Sequence, residues 1–316
     1  MRANRLIVWM GLAMILFVTA CGQAPQSADH TNKKAGAPSQ TAGGFPITLQ
    51  DKSGTDVKIE KKPTRIVSII PSTTEIAFAV GAGNEIVGVS NYDNYPAEAA
   101  KKEKVGDLKV NKEKVVALNP DLVLADSSSG DAVTALRKSG LTVLVTEAKN
   151  IDEVYKSIGL IGEATGHTGE ADKLVQNMQA DVRAVQEKVK AIPDEKKPKV
   201  WVEVDPSLFT AGKGTFIDDM VTLAGGKNIA ADVEGWKKLS EEKVLERNPD
   251  VILNTYGYYD KEATAKILKR PTWQQVKAVQ TKRVQALDSD VVTRPGPRIT
   301  QGLQEVARAL HPDLFK

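Results

Sequence analysis

The sequence predicts an α/β protein made of two Rossmann-like lobes with parallel sheets, joined by one long rigid helix. A fourteen-residue segment occurs twice, and a long amphipathic stripe lies between the two copies. Each lobe also opens alike, since the apolar runs at 65–70 and 199–204 are each followed by a loop, a helical stretch and a glycine turn. Strands that alternate with helices are typical of parallel sheets.

The repeat predicts one helix–strand unit in each lobe. Residues 111–124 recur 129 positions later as residues 240–253, with seven of the fourteen positions identical. Each copy begins with a favourable N-cap, Asn111 or Ser240, and runs up to an Asn-Pro pair. Because proline disfavours a helical residue before it, the helix should end there and the apolar strand should follow.

The connecting helix is predicted by its period. Apolar residues recur at spacings of three and four from Ala171 to Ile192, as on one face of a helix. We expect the helix to run from Thr168 to Ala191, roughly 36 Å at ~1.5 Å per residue, and to end at Pro193. A coiled-coil dimer is the alternative use of the stripe, but packing on the protein's own lobes is favoured, so we expect a monomer.

The start of the chain predicts export and lipid attachment. Arg2 and Arg5 precede an apolar run, Leu6–Val18, and then Thr19, Ala20 and Cys21, which is the order of a secretory signal. The run is 13 residues long and thus short for a membrane-spanning helix, although an uncleaved anchor stays open. Cys21 is the only cysteine, so it has no disulfide partner in the chain. Residues 18–21 resemble the lipobox of bacterial lipoproteins, in which this cysteine is acylated; a free thiol is the alternative.

The predicted organisation follows the chain. It comprises a signal peptide at 1–20, a flexible tether at 21–45, an N-terminal lobe at 46–166, the connecting helix at 167–193 and a C-terminal lobe at 194–316. A small hairpin is expected around Asp51–Gly54. Loss of Arg2 and Arg5 with the signal peptide lowers the net charge from +3 to +1, which excludes the basic footprint of a nucleic-acid-binding protein.

Several segments carry a resemblance to a known family. They include Lys62–Ser68, PSTTEIAF at 71–78, residues 88–96, residues 116–123 and SDVVTRPGPRI at 289–299. In this order they resemble the substrate-binding proteins of bacterial ABC importers for cobalamin, ferric siderophores and haem, most of all the cobalamin-binding member. The resemblance runs from about Ile47 to the C-terminus. It implies the helical-backbone periplasmic-binding-protein fold, a lipid-anchored location on the extracytoplasmic face of the cell membrane, and a permease dimer with its ATPase as partners.

Ligand-binding residues are expected in the loops after the strands, because ligands of parallel α/β sheets bind at the carboxyl ends of the strands. By resemblance, Tyr92, Trp236, Asp290 and Arg294 match positions that line the corrinoid pocket. Phe209 and Tyr256 join them as aromatic residues of such loops. Flat aromatic faces with polar edges suit a conjugated macrocycle; packing in the core or between the lobes is the alternative for each aromatic residue.

Three ligands stay open, and we rank a corrinoid such as cobalamin first, a ferric siderophore second and haem third. Anionic iron complexes need several convergent cationic groups, and Arg294 with Arg298 is the only such cluster expected near the cleft. Haem iron accepts a phenolate ligand, which Tyr256, Tyr258 or Tyr259 would supply. The ligand is cargo, so no resident cofactor is expected.

Glu113 and Glu242 occupy the same position of the repeat, each two residues after an N-cap. A carboxylate in the first turn of a helix is favoured by the helix dipole alone. The resemblance implies more, since this family docks one glutamate of each lobe on arginines of the permease. A pair spanning both lobes suits a two-fold permease.

Motifs for catalysis and metal binding are absent from the sequence. There is no nucleophile elbow, phosphate loop or Cys-x-x-Cys, and the histidines, His30, His167 and His311, are scattered. We therefore predict neither an enzyme nor a metal site. A non-transport protein on the same fold, such as a cofactor-handling protein of nitrogenase-like descent, remains the alternative, and the neighbouring genes would distinguish the two.

Overall fold

The structure, a computed structural model, describes residues 44–107 and 109–315. The predicted signal peptide, the tether up to residue 43 and Cys21 lie outside these residues. The α/β fold class predicted from the sequence is confirmed. Among the described residues, no helix is both long enough and apolar enough to cross a membrane.

The first half of the chain builds a five-stranded parallel sheet with a hairpin before it. Its elements are β1 (Ile47–Gln50), β2 (Asp56–Ile59), β3 (Ile66–Ser68), α1 (Pro71–Ala79), β4 (Ile86–Val89), α2 (Ala97–Ala100), β5 (Glu103–Lys104), α3 (Lys112–Ala117), β6 (Leu122–Asp126), α4 (Gly130–Lys138), β7 (Val143–Thr146) and α5 (Ile151–Thr165). The strand order is β5-β4-β3-β6-β7, and every pair is parallel. The predicted hairpin is formed by β1 and β2.

The second half repeats this plan with four parallel strands. After α6 (Thr168–Val189), its elements are β8 (Lys199–Glu203), β9 (Phe209–Ala211), α7 (Phe216–Leu223), β10 (Lys227–Asn228), β11 (Trp236–Lys238), α8 (Glu241–Arg247), β12 (Val251–Asn254), α9 (Ala263–Leu268), α10 (Lys277–Gln280), β13 (Val284–Ala286), α11 (Ser289–Val292) and α12 (Ile299–Leu310). The sheet has the order β10-β8-β12-β13. Strands β9 and β11 form a separate antiparallel pair.

The two copies of the repeat fold alike, as α3–β6 and α8–β12. The side chain of Asn111 accepts a backbone N–H of the first turn at 2.9 Å, and that of Ser240 does so at 3.4 Å. Beyond the helices, Asn119 and Asn248 both have a φ of 46°, the left-handed conformation that asparagine tolerates. The N-caps and the Asn-Pro ends predicted from the sequence are thus confirmed in both copies.

The aspartate of each repeat joins the unit to the first strand of its own sheet. Asp121 accepts the backbone N–H of Arg65 at 3.0 Å, just before β3. Asp250 accepts the N–H of Lys199 at 2.7 Å, where β8 begins. Each repeat therefore aligns its helix–strand unit with the central strands of the sheet.

The connecting helix α6 has 22 residues, or about 33 Å at ~1.5 Å per residue, and ends two residues before the predicted Ala191. It buries the predicted stripe, including Ala171, Met178 and Val185. The same hydrophobic core contains residues of both sheets, so α6 packs on the protein itself. We use "N-terminal lobe" and "C-terminal lobe" for the parts before and after α6; their exact boundaries at 46, 167 and 194 stay predictions.

Candidate ligand-binding site

A cavity of about 450 Å³ opens at the carboxyl edge of the N-terminal sheet. Its walls follow three adjacent strands: residues 69–71 after β3, Ser90 and Tyr92 after β4, and residues 127–132 after β6, with Asp107 and Val110 beside them. Its position agrees with the rule that ligands bind at the carboxyl ends of parallel strands. The lining residues all belong to the N-terminal lobe.

Tyr92 meets the C-terminal lobe directly. Its side chain is 54% exposed, while its backbone carbonyl accepts a hydrogen bond from Arg294 Nη2 at 3.3 Å. Arg294 Nη1 also donates to Asn94 Oδ1 at 2.7 Å, and Asn94 Nδ2 donates to Asp290 Oδ2 at 2.7 Å. Three of the predicted residues, Tyr92, Asp290 and Arg294, are therefore held together across the lobes, and the ion pair between Asp290 and Arg294 is present.

The two arginines expected to offer free positive charge are already paired. Glu75 on α1 is 2% exposed and accepts hydrogen bonds from Arg294 Nη1 at 3.1 Å and from Arg298 at 2.9 and 2.7 Å. These bonds raise the pKa of Arg298. The cationic cluster predicted at Arg294 and Arg298 is balanced in this structure by the carboxylates of Glu75 and Asp290, and its role in binding an anionic ligand stays a prediction.

An aromatic cluster forms the second part of the candidate site. Trp236 on β11 is 37% exposed and stacks on Phe209, with ring centroids 6.4 Å apart and planes at 13°. Phe216 meets Trp236 edge-on at 5.5 Å. Phe209 and Trp236 are thus together, as expected, but neither lines the 450 Å³ cavity.

Tyr256 is a core residue in this structure, so it is no longer a candidate for contact with the ligand. It is 2% exposed, and its hydroxyl donates to Glu203 at 2.5 Å. Arg270 donates two further hydrogen bonds to Glu203, at 2.7 and 2.6 Å. Burial, together with this carboxylate, raises the pKa of Tyr256. The hydroxyl therefore remains a protonated donor that anchors the loop after β12.

The next tyrosines of that loop remain accessible. Tyr258 is 66% and Tyr259 56% exposed, and their rings meet edge-on at 4.8 Å. Burial first, and then the negative charge of Asp205, raise the pKa of Tyr259. The phenolate form of Tyr259 is therefore disfavoured in this structure.

The loop that carries Tyr92 is fastened by Asp93. Ser90 Oγ donates to Asp93 Oδ2 at 2.5 Å, and Lys104 Nζ donates to the carbonyl of Asp93 at 2.9 Å. Burial raises the pKa of Asp93.

Three residues of the candidate site, Glu75, Asn94 and Asp107, were not predicted from the sequence. Glu75 and Asn94 nevertheless lie inside the motifs at 71–78 and 88–96.

Glu113 and Glu242 lie in the first turns of α3 and α8, and both are exposed. The pKa of Glu242 is lowered by its own backbone N–H and by Ser240, so the carboxylate is ionised at neutral pH. Within 44–107 and 109–315, no group of three or more His, Cys, Asp or Glu residues is arranged to hold a metal ion.

Two lobes joined by one continuous 22-residue helix, with a cavity where parallel strands end, define the class of two-lobed solute-binding proteins. A family model described as periplasmic binding protein matches residues 66–291. The chain belongs to this family, and it is a substrate-binding protein of an ABC transporter rather than an enzyme.

Known relatives extend over nearly the whole chain. An uncharacterised ABC transporter substrate-binding lipoprotein of Bacillus subtilis strain 168 is 43% identical over 317 residues, 98% of each chain. A cobalamin-binding protein of Halobacterium salinarum is 32% identical and covers 96% of this chain and 84% of its own. The crystal structure of a possible iron-binding, periplasmic solute-binding protein from Staphylococcus epidermidis is 37% identical, with a TM-score of 0.71, and covers 79% of this chain and all of its own.

Proposed function

We propose that the protein binds a corrinoid such as cobalamin between its lobes and delivers it to the permease of an ABC importer. The observation that carries this proposal is the exposure of two large aromatic side chains, one from each lobe. Tyr92 is 54% and Trp236 37% exposed. Tyr92 follows β4 of the parallel sheet, and Trp236 is the first residue of β11 in the antiparallel pair. Aromatic faces at a cleft suit a large conjugated ring whose polar groups lie on its rim.

Hydrogen-bonding groups near Tyr92 suit the amide rim of a corrinoid. Asp290, Asn94 and Arg294 form one network across the lobes, and serine hydroxyls line the cavity beside them. Primary amides both donate and accept hydrogen bonds, so they match this mixture. The similarity to a cobalamin-binding protein supports the same ligand.

Iron complexes are the second candidate, because the relative from Staphylococcus epidermidis is described as a possible iron-binding protein. The pairing of Arg294 and Arg298 with Glu75 and Asp290 leaves this cluster without free charge for an anionic siderophore. Haem is the third candidate: the exposed Tyr258 and Tyr259 would ligate its iron, although the raised pKa of Tyr259 disfavours the phenolate form of that residue. A non-transport role would be indicated by a gene that has no permease or ATPase beside it.

The test is a calorimetric titration of the purified protein with cyanocobalamin, a ferric hydroxamate, a ferric catecholate and haemin. The proposal predicts binding of cyanocobalamin with a dissociation constant of about 1 µM or below. Binding at that level only to an iron complex would replace the corrinoid assignment and leave the importer role intact.

We further propose that Glu113 and Glu242 dock on arginines of the permease. Their equivalent positions, exposure and N-capped helices support a matched pair of negative contacts. Complementary charges orient the binding protein on the permease and raise the rate of association.

Acylation of Cys21 would hold the protein at the extracytoplasmic face of the membrane, where the permease opens. The lipobox-like residues 18–21 and the tether support this attachment. The relative from Bacillus subtilis, a lipoprotein, supports it as well.

A further inference from the structure

The cavity of the N-terminal lobe has an acidic lining. Its charged side chains among the described residues are Asp107 and Asp131, both exposed. Its polar neutral groups are mainly the hydroxyls of Ser90 and Ser127–Ser129, and no lysine or arginine belongs to the lining. A ligand in this cavity therefore meets carboxylates and hydroxyl oxygens.

Two cations close to the cavity, Lys104 and Arg294, are already bound to protein oxygens. Lys104 Nζ donates to the carbonyls of Ser90 and Asp93 at 3.2 and 2.9 Å. Arg294 is shared between Glu75, Asp290 and Asn94. A negatively charged ligand would have to compete with these internal partners.

The amino end of α4 would ordinarily attract an anion, because it carries the positive end of a helix dipole. Here that attraction is offset by carboxylates. Asp126 accepts the backbone N–H of Ser128 at 2.9 Å and its hydroxyl at 2.5 Å, and Asp131 lies in the first turn. The field near this helix end is thus set by acidic groups.

We propose that the cavity selects ligands by the charge of their rim, accepting primary amides and rejecting carboxylates at the same positions. This inference rests on the corrinoid proposal above and names the subclass of corrinoid. An amide N–H₂ group donates to Asp107, Asp131 or a serine oxygen. A carboxylate has no proton to donate and is repelled by both aspartates, and like charges placed together at an interface are strongly unfavourable.

The test compares cobinamide with cobyrinic acid, prepared with the same axial ligands, by calorimetry at low ionic strength. Both contain the corrin ring and lack the nucleotide, but one has an amide rim and the other a carboxylate rim. We expect cobinamide to bind at least about 30-fold more tightly. The preference should shrink in about 1 M NaCl, because the two aspartates are exposed and salt screens them.

The double variant Asp107→Asn/Asp131→Asn should reduce the preference at least about fivefold, mainly by improving the binding of cobyrinic acid. Its control is Asp56→Asn, which removes one carboxylate charge by the same substitution at an exposed position of β2 and should leave the preference as it is. Equal binding of the two corrinoids, or a preference that the double variant does not alter, would overturn the selection by charge and leave the corrinoid proposal standing. If neither these corrinoids nor cyanocobalamin bind, the corrinoid proposal and the selection fail together.

Discussion

At the scale of single residues, Glu75 joins the two lobes through one buried carboxylate. It lies on α1, is 2% exposed and receives hydrogen bonds from Arg294 and Arg298 of the C-terminal lobe. The free-energy cost of removing such a carboxylate from water is offset only while its charged partners are in place. Glu75 therefore both stabilises the contact between the lobes and holds the loop that carries Arg294.

We expect Glu75→Gln to lower the free energy of unfolding by about 3 kcal/mol, because the largely buried guanidinium of Arg298 loses its paired carboxylate and that of Arg294 keeps only Asp290. The measurement is urea denaturation at neutral pH. Glu60→Gln is the control, since Glu60 forms an exposed pair with Lys58 and should change the free energy by less than about 1 kcal/mol. Similar small losses in both variants would contradict the role assigned to Glu75.

The sequence predicted which residues belong to the site better than it predicted their burial and their partners. It placed Tyr92, Asp290 and Arg294 in one site, and the structure brings them together. It could not foresee that Glu75 pairs with Arg294, because the two are 219 positions apart in the chain. It also placed Tyr256 in the cleft, whereas the structure buries this residue and joins its hydroxyl to Glu203, 53 positions earlier in the chain.

At the scale of elements, the crossing of α5 and α6 fixes the connecting helix. A β-carbon added to Gly162 on α5 would lie 2.4 Å from the β-carbon of Ala171 on α6, whereas one added to Gly159 on the same helix meets nothing within 4 Å. The same helix thus carries one glycine required for close packing and one that is not.

These two glycines make a matched pair. Gly162→Ala should lower the free energy of unfolding by about 1–3 kcal/mol, because the added methyl group forces the helices apart. Gly159→Ala should raise it by up to about 1 kcal/mol through helix propensity. Thermal and urea unfolding of both variants would test this, and a change of the same sign in both would show that the crossing does not depend on Gly162.

Elements with strong local signals were predictable, and the others depended on tertiary pairing. The repeat units carry N-caps, an Asn-Pro end and an apolar strand, all within fourteen residues. Strand β11 has none of these sequence signals. Its residues, Trp236, Lys237 and Lys238, are also all exposed. It forms because it pairs with β9.

At the scale of the whole molecule, delivery needs a docking face and an anchor. We expect Glu113→Ala/Glu242→Ala to weaken binding to the reconstituted permease at least about 30-fold, because loss of one partner of an interfacial charge pair costs about 2 kcal/mol or more. Ligand affinity should not change. Glu246→Ala, which removes an exposed carboxylate from the other end of α8, is the control. Permease binding of the double variant as tight as that of the wild type would rule out docking by this pair.

The anchor is tested by Cys21→Ala. The variant should be unprocessed or released as soluble protein, and its mass should lack the acyl groups, because the alanine side chain has no sulfur to acylate. Ser27→Ala, six residues further along the tether, should behave as the wild type in membrane fractionation and mass spectrometry. Membrane retention and mass unchanged by Cys21→Ala would exclude lipid attachment at this residue.

The corrinoid proposed as the ligand would bind between the exposed aromatic side chains of the two lobes, Tyr92 and Trp236. Calorimetric titration with cyanocobalamin of the wild type and of Tyr92→Ala/Trp236→Ala tests this claim most directly. The wild type should bind one cyanocobalamin per protein with a dissociation constant of about 1 µM or below, and the variant, folded as judged by circular dichroism, at least about tenfold more weakly. Absence of binding to the wild type, or equal affinity in the variant, would contradict the claim.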